Sequence, residues 1–106
     1  MKVLWTEFSE SQLDGIYDYI QIKNPRAAAE IYNDILDESA MLARFPRIAP
    51  IEPLLTEFPE EYRSLIVRQN YKVVYYIENE IVIYVVAVFD CRQNPEKLKY
   101  IIKSNQ

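Results

Sequence analysis

An α+β fold, with an N-terminal helical hairpin packed on a small, mainly antiparallel β-sheet, is predicted by three features of this 106-residue chain. Two apolar stripes at helical spacing flank Asn24-Pro25. Three apolar runs follow between residues 62 and 89. The connections between those runs are too short for a crossover, so neighbouring strands must run antiparallel. At this length the chain reads as one domain, residues 1–106, able to bury roughly 65% of the surface its unfolded form would expose and so to fold without a disulfide or metal.

Val3, Leu4 and Trp5 make a short apolar opening that reads as an edge strand. Ser9 and Gln12 stand at capping-box spacing, which predicts a helix start at Ser9. Leu13, Ile16, Tyr17 and Ile20 form its inner face, leaving Asp14, Asp18 and Gln21 toward water. Asn24 suits an N-cap and Pro25 the first turn of a second helix, where a missing amide costs nothing. Ala28, Ile31, Tyr32, Ile35, Leu36 and Leu42 carry the second stripe, and Phe45-Pro46 ends it. Prolines 46, 50, 53 and 59 make residues 46–61 a loop, whose Ile48, Ile51, Leu54, Leu55 and Phe58 need a surface to pack on.

Strands are expected at Tyr62–Val67, Tyr71–Ile77 and Ile81–Phe89, with turns at Gln69-Asn70 and Glu78-Asn79-Glu80, where asparagine is suited to a positive φ. Strict alternation puts Ile81, Ile83, Val85, Ala87 and Phe89 on one face of the last strand and Val82, Tyr84, Val86 and Val88 on the other. Both faces are apolar, so both expect cover. The hairpin supplies one side. For the other there remain the loop and the segment Glu96–Lys103, or else a second polypeptide, since a large apolar patch marks an interaction site.

Composition narrows the function. A lone cysteine, Cys91, forbids an internal disulfide, and the absence of histidine removes the usual imidazole zinc sites; no metal or cofactor is expected. The first residues turn polar too soon for a signal peptide and no apolar run approaches a membrane span, which predicts a cytoplasmic protein without membrane contact. A net charge of -4 opposes wholesale binding of nucleic acid. Charge is nonetheless divided: acids dominate the helices, whereas residues 62–77 carry Arg63, Arg68 and Lys72 with no acid, and the tail adds Arg92, Lys97, Lys99 and Lys103 against Glu96.

The ordered set Trp5, Leu13-x-x-Ile16-x-x-Tyr19-Ile20, Asn24-Pro25, Ala27-Ala28, Leu42-x-x-Phe45-Pro46, Tyr62-Arg63, Tyr71-x-Val73-x-Tyr75, Ile81-x-Ile83, Val88, Arg92 and Pro95 resembles the RelE/ParE superfamily. These are the toxin halves of type II toxin–antitoxin modules, also called plasmid-stabilisation proteins. The resemblance implies a helical hairpin on a small antiparallel sheet and a cognate antitoxin that wraps and neutralises the toxin. RelE-like members resemble ribosome-dependent nucleases that cut messenger RNA, whereas ParE-like members inhibit DNA gyrase by binding.

Cutting by a 2′-hydroxyl needs a base, an acid and positive charge on the phosphate between them. By the RelE-like pattern, Arg63, Lys72 and Arg92 would hold that phosphate as the catalytic set. Leu65, however, occupies a position where that pattern has a second basic residue, and Tyr100 lies farther from Arg92 than the pattern places its tyrosine. Each basic residue also has a plainer reading: Arg63 could pair with Glu60 or Glu61, Lys72 and Arg68 could be solvated strand charges, and Cys91, with no histidine to activate it, is a bystander. The reading adopted is ParE-like: a toxin that binds DNA gyrase, with Arg63, Lys72, Val86 and Arg92 meeting an acidic antitoxin. The alternatives are the messenger RNA endoribonuclease, with ribosome and messenger as partners, and a degenerate, non-toxic member kept as a binding module.

Overall fold

A computed structural model describes residues 1–105. The chain runs β1 (Lys2–Trp5), α1 (Glu7–Gln21), α2 (Pro25–Ala40), β2 (Arg63–Val67), β3 (Tyr71–Glu78), β4 (Val82–Asp90) and α3 (Glu96–Ser104), with single 3-10 turns at Met41–Ala43 and Pro53–Leu55. The four strands form one sheet in the order β1-β4-β3-β2. β1 lies at the edge, parallel to β4, and the other pairs are antiparallel.

Local chemistry accounts for the helix boundaries, with one correction. The cap of α1 is Thr6, whose hydroxyl accepts from the Ser9 amide, and not Ser9 itself. Ser9 is buried, and its hydroxyl donates to the Val85 carbonyl at 2.8 Å. Gln12 does not reach back to a cap either: its Oε1 accepts from the Val88 amide at 2.9 Å. Both predicted capping residues instead serve β4: the Ser9 hydroxyl shares the Val85 carbonyl with the Thr6 amide where β1 ends, and Gln12 supplies a partner to the Val88 amide beyond it. At the second helix Asn24 caps as expected, accepting from the Ala27 amide with Pro25 in the first turn.

The turns carry a second correction. In the first hairpin the left-handed residues are Arg68 (φ 51°) and Gln69 (φ 65°), not Asn70; in the second they are Asn79 and Glu80 (φ 53° and 59°). Each connection has three residues, 68–70 and 79–81, of which the first two have positive φ; in the first hairpin backbone geometry prevails over the preference for asparagine, whereas in the second Asn79 takes the positive φ expected of it.

One irregularity resets the faces of β4. Val74 lies opposite Ala87 and Tyr75 opposite Val85, so Val86 is a bulge residue with no counterpart. Beyond it the alternation shifts by one. Ile83, Val85 and Val88 share the hairpin side with Leu13, Ile35, Leu42, Val73 and Tyr75, while Ala87 and Phe89 turn to the opposite side. The strict alternation expected from the sequence therefore fails after Val85.

The opposite side is closed mainly from within. Leu55 and Tyr62 of the loop and Leu98 and Ile102 of α3 pack on Val74, Ala87 and Phe89. The expectation of an apolar face left for another polypeptide is thus overturned over that half of the sheet; on that side Val82, Tyr84 and Val86 of β4 and Tyr76 of β3 remain half-buried, and Ile66 of β2 is exposed. Beside them runs a row of edge-to-face rings, Phe58, Tyr62 and Tyr76, ending at Tyr84. Core packing accounts for this row.

Candidate functional site

The basic residues singled out in the sequence are dispersed. Arg63 opens β2 opposite Tyr75, on the hairpin side. Its Nη1 donates to the Ala49 carbonyl at 2.7 Å and its Nη2 to Glu61 at 3.0 Å, with only 14% of the side chain exposed. Arg63 fastens the loop to the sheet.

Lys72 lies on the opposite side, across from Ile66 and Phe89. It binds the Glu52 carboxylate, which is 2% exposed and also accepts from the Ser64 hydroxyl at 2.8 Å and the Leu54 amide at 3.0 Å. Burial pushes the Glu52 carboxyl up, but the hydrogen bonds from Leu54, Lys72 and Ser64 outweigh it and hold the group below its ordinary value. Neither a solvated charge nor an open site describes Lys72: it neutralises a buried carboxylate that pins Pro53–Leu55. With Arg63 and Lys72 on opposite faces, and Arg92 beyond the end of β4, the three do not converge on one phosphate.

Arg92 differs. Its Nε and Nη2 hold both oxygens of Asp90 at 2.9 and 2.8 Å, Nη2 lies 3.2 Å from the Tyr71 hydroxyl, and the guanidinium stands 5.7 Å from the centre of that ring. The Arg92 hydrogen bond, partly offset by burial, keeps Asp90 below the usual carboxylate range, and the same pairing raises the guanidinium further. Although so fixed, the side chain is 61% exposed. It is pre-organised without being used up.

Arg92 lines a groove of about 520 Å3 between α1 and the C-terminal end of β4. Ile16, Ile20, Ile31, Val88 and Tyr71 give it an apolar wall, Gln12, Asp90 and Gln93 a polar rim, and Gly15 and Tyr19 line it from α1. Exposed Tyr19 and Ile22 extend the apolar surface to the tip of the hairpin. Groove and anchored cation together suit a peptide segment with an acidic group, in the manner of a helix or strand laid in a cleft.

Val86 lies elsewhere, half-buried beside a cleft of about 90 Å3 shared with Phe8, Tyr62 and Ile102. Burial pushes the Cys91 thiol up, away from a reactive thiolate. The residues that sequence reading missed are Gly15, Gln12, Tyr71 and Asp90. The signal available for the first was its being the chain's sole glycine, placed inside a helical pattern; for Asp90 it was its spacing of two from Arg92.

Comparison with known proteins gives two results. The family described as ParE toxin of type II toxin-antitoxin system, parDE, matches residues 3–95. A solved structure titled "Chromosomal ParDE TA system from P. aeruginosa" superposes with a TM-score of 0.70 at 21% identity, covering 85% of this chain and 95% of that one; at such identity the likeness speaks for the fold. No curated protein matches the chain in sequence.

Proposed function

The chain belongs to the ParE toxin family of type II toxin–antitoxin systems, and we propose on that footing that it acts in the cytoplasm by binding DNA gyrase, and is silenced when a cognate antitoxin occupies the groove ending at Arg92. The observation that carries this reading is the contrast among the basic residues: Arg63 and Lys72 are committed to internal partners, while Arg92 is fixed and still open to solvent beside an apolar groove. Of the four residues expected from the sequence to meet a partner, Arg92 is retained in that role. Arg63 and Lys72 hold the loop of residues 46–61 to the sheet, and Val86 belongs to the far side of the sheet.

The endoribonuclease alternative loses its support, because a scissile phosphate would need those cations on one side of the sheet. Induced expression provides the test. Growth arrest with intact messages, inhibition of supercoiling by purified gyrase mixed with purified chain, and rescue by co-expression of an antitoxin-type reading frame found beside this one are the expected results. Messages cut within codons, or gyrase unaffected by the pure chain, would overturn the reading.

A further inference from the structure

We infer that Gly15 is a specificity-determining residue of the antitoxin interface: its missing side chain admits a large apolar side chain of the antitoxin, whose adjoining carboxylate meets Arg92. This rests on the proposed toxin–antitoxin reading and names what that reading leaves open. A glycine at the ninth position of a 15-residue helix is costly to helix stability relative to alanine. Internal packing does not require it, since a Cβ built there meets no atom within 4 Å, and its φ is not positive. Gly15 lines the groove, so the space that it leaves is part of it.

Charge defines the occupant. Around the groove stand Arg92, Lys97, which holds Gln93 at 3.0 Å, and, in the adjoining hollow with Tyr19 and Ile22, Lys23. Asp90 at the rim forms an ion pair with Arg92, whose side chain stays 61% exposed, so the net positive charge of the border comes from Lys97 and Lys23; Asp14 faces the other flank of α1 beside Tyr32. In a chain of net charge -4, this is a locally basic border around an apolar floor. It complements an acidic segment with an apolar anchor and disfavours a second copy of this acidic chain.

The experiment measures binding of the polypeptide encoded by a short antitoxin-type reading frame found beside this one to the wild-type chain and to Gly15→Ala, Gly15→Leu and Tyr100→Ser, with thermal unfolding and sedimentation of each free chain. Gly15→Ala should raise Tm by about 4 °C, since the helix gains and nothing clashes, yet loosen the complex about tenfold; Gly15→Leu should loosen it on the order of 100-fold. Tyr100→Ser, at an exposed position of α3, should bind as wild type. A stably folded Gly15→Leu chain with wild-type affinity would overturn the role of Gly15 and leave the toxin–antitoxin reading standing. A wild-type chain that binds no such polypeptide would remove both. A free chain that self-associates, and is dispersed by Gly15→Leu, would assign the groove to a second copy instead.

Discussion

At Glu52 and Lys72, a carboxylate almost wholly withdrawn from water is satisfied by a lysine, a serine hydroxyl and a backbone amide. Removing the lysine leaves a buried anion short of its only cation, so Lys72→Met should cost about 2 kcal/mol at neutral pH, measured by urea unfolding. The folded pKa of Glu52 is depressed, so its contribution is fully present above roughly pH 5 and fades as pH falls through the lowered folded value. The gap between wild type and Lys72→Met should accordingly narrow below roughly pH 4; a gap independent of pH would mean that the ion pair is not its source. Gln69 offers a test of opposite sign. Its φ of 65° is one that an L side chain adopts at a cost, and glycine relieves this strain while adding unfolded-state entropy. Gln69→Gly should therefore stabilise the fold by about 0.5 kcal/mol, read from the same denaturation curves.

Among the elements, α3 and the bulge in β4 determine the character of the sheet's second side. Leu98 and Ile102 of α3 are buried against Ala87 and Phe89, so Leu98→Ala should cost about 3 kcal/mol by leaving a cavity that a short helix cannot refill. Unfolding at unchanged midpoint would show that α3 is not seated there. The bulge at Val86 lets one strand serve two cores, turning Val88 to the hairpin and Phe89 to α3. Val86→Asp places a carboxylate in a half-buried position and should cost about 1 kcal/mol. Since Val86 lies away from the groove, a folded Val86→Asp chain should keep wild-type affinity for the antitoxin, as titration calorimetry would record. On the proposed reading the partner lies along the flank of α1 and the end of β4, and the middle of β4 is support.

Over the whole molecule, the formal charge of -4 coexists with a basic border at one end of the sheet. Too few cations converge there to track a duplex, so the isolated chain should show no measurable shift in fluorescence anisotropy with double-stranded DNA in about 0.15 M salt. Binding that weakens steeply with salt would instead point to direct contact with DNA. No described helix is long and apolar enough to cross a membrane.

Periodicity, the Asn24 cap and prolines made the helical hairpin and the antiparallel pairing of the last three strands legible from the sequence, because those depend on residues close together in the chain, whereas the parallel pairing of β1 with β4 does not. Asn24-Pro25 and the three apolar runs specify their own local structure. Arg92 was legible as a candidate for the same reason, closing a strand with no competing acid in the apolar run before it except Asp90. The rest was decided only by tertiary contact. Whether Ser9 and Gln12 cap a helix or complete a strand edge, whether Lys72 faces water or Glu52, and whether β4 keeps its alternation past Val85 all turn on groups 20 to 76 residues away. The balance between local preference and a distant unsatisfied donor, acceptor or charge can be struck only once folding has brought the two together, because the cost of leaving such a group buried and unpaired exceeds the preference it overrides.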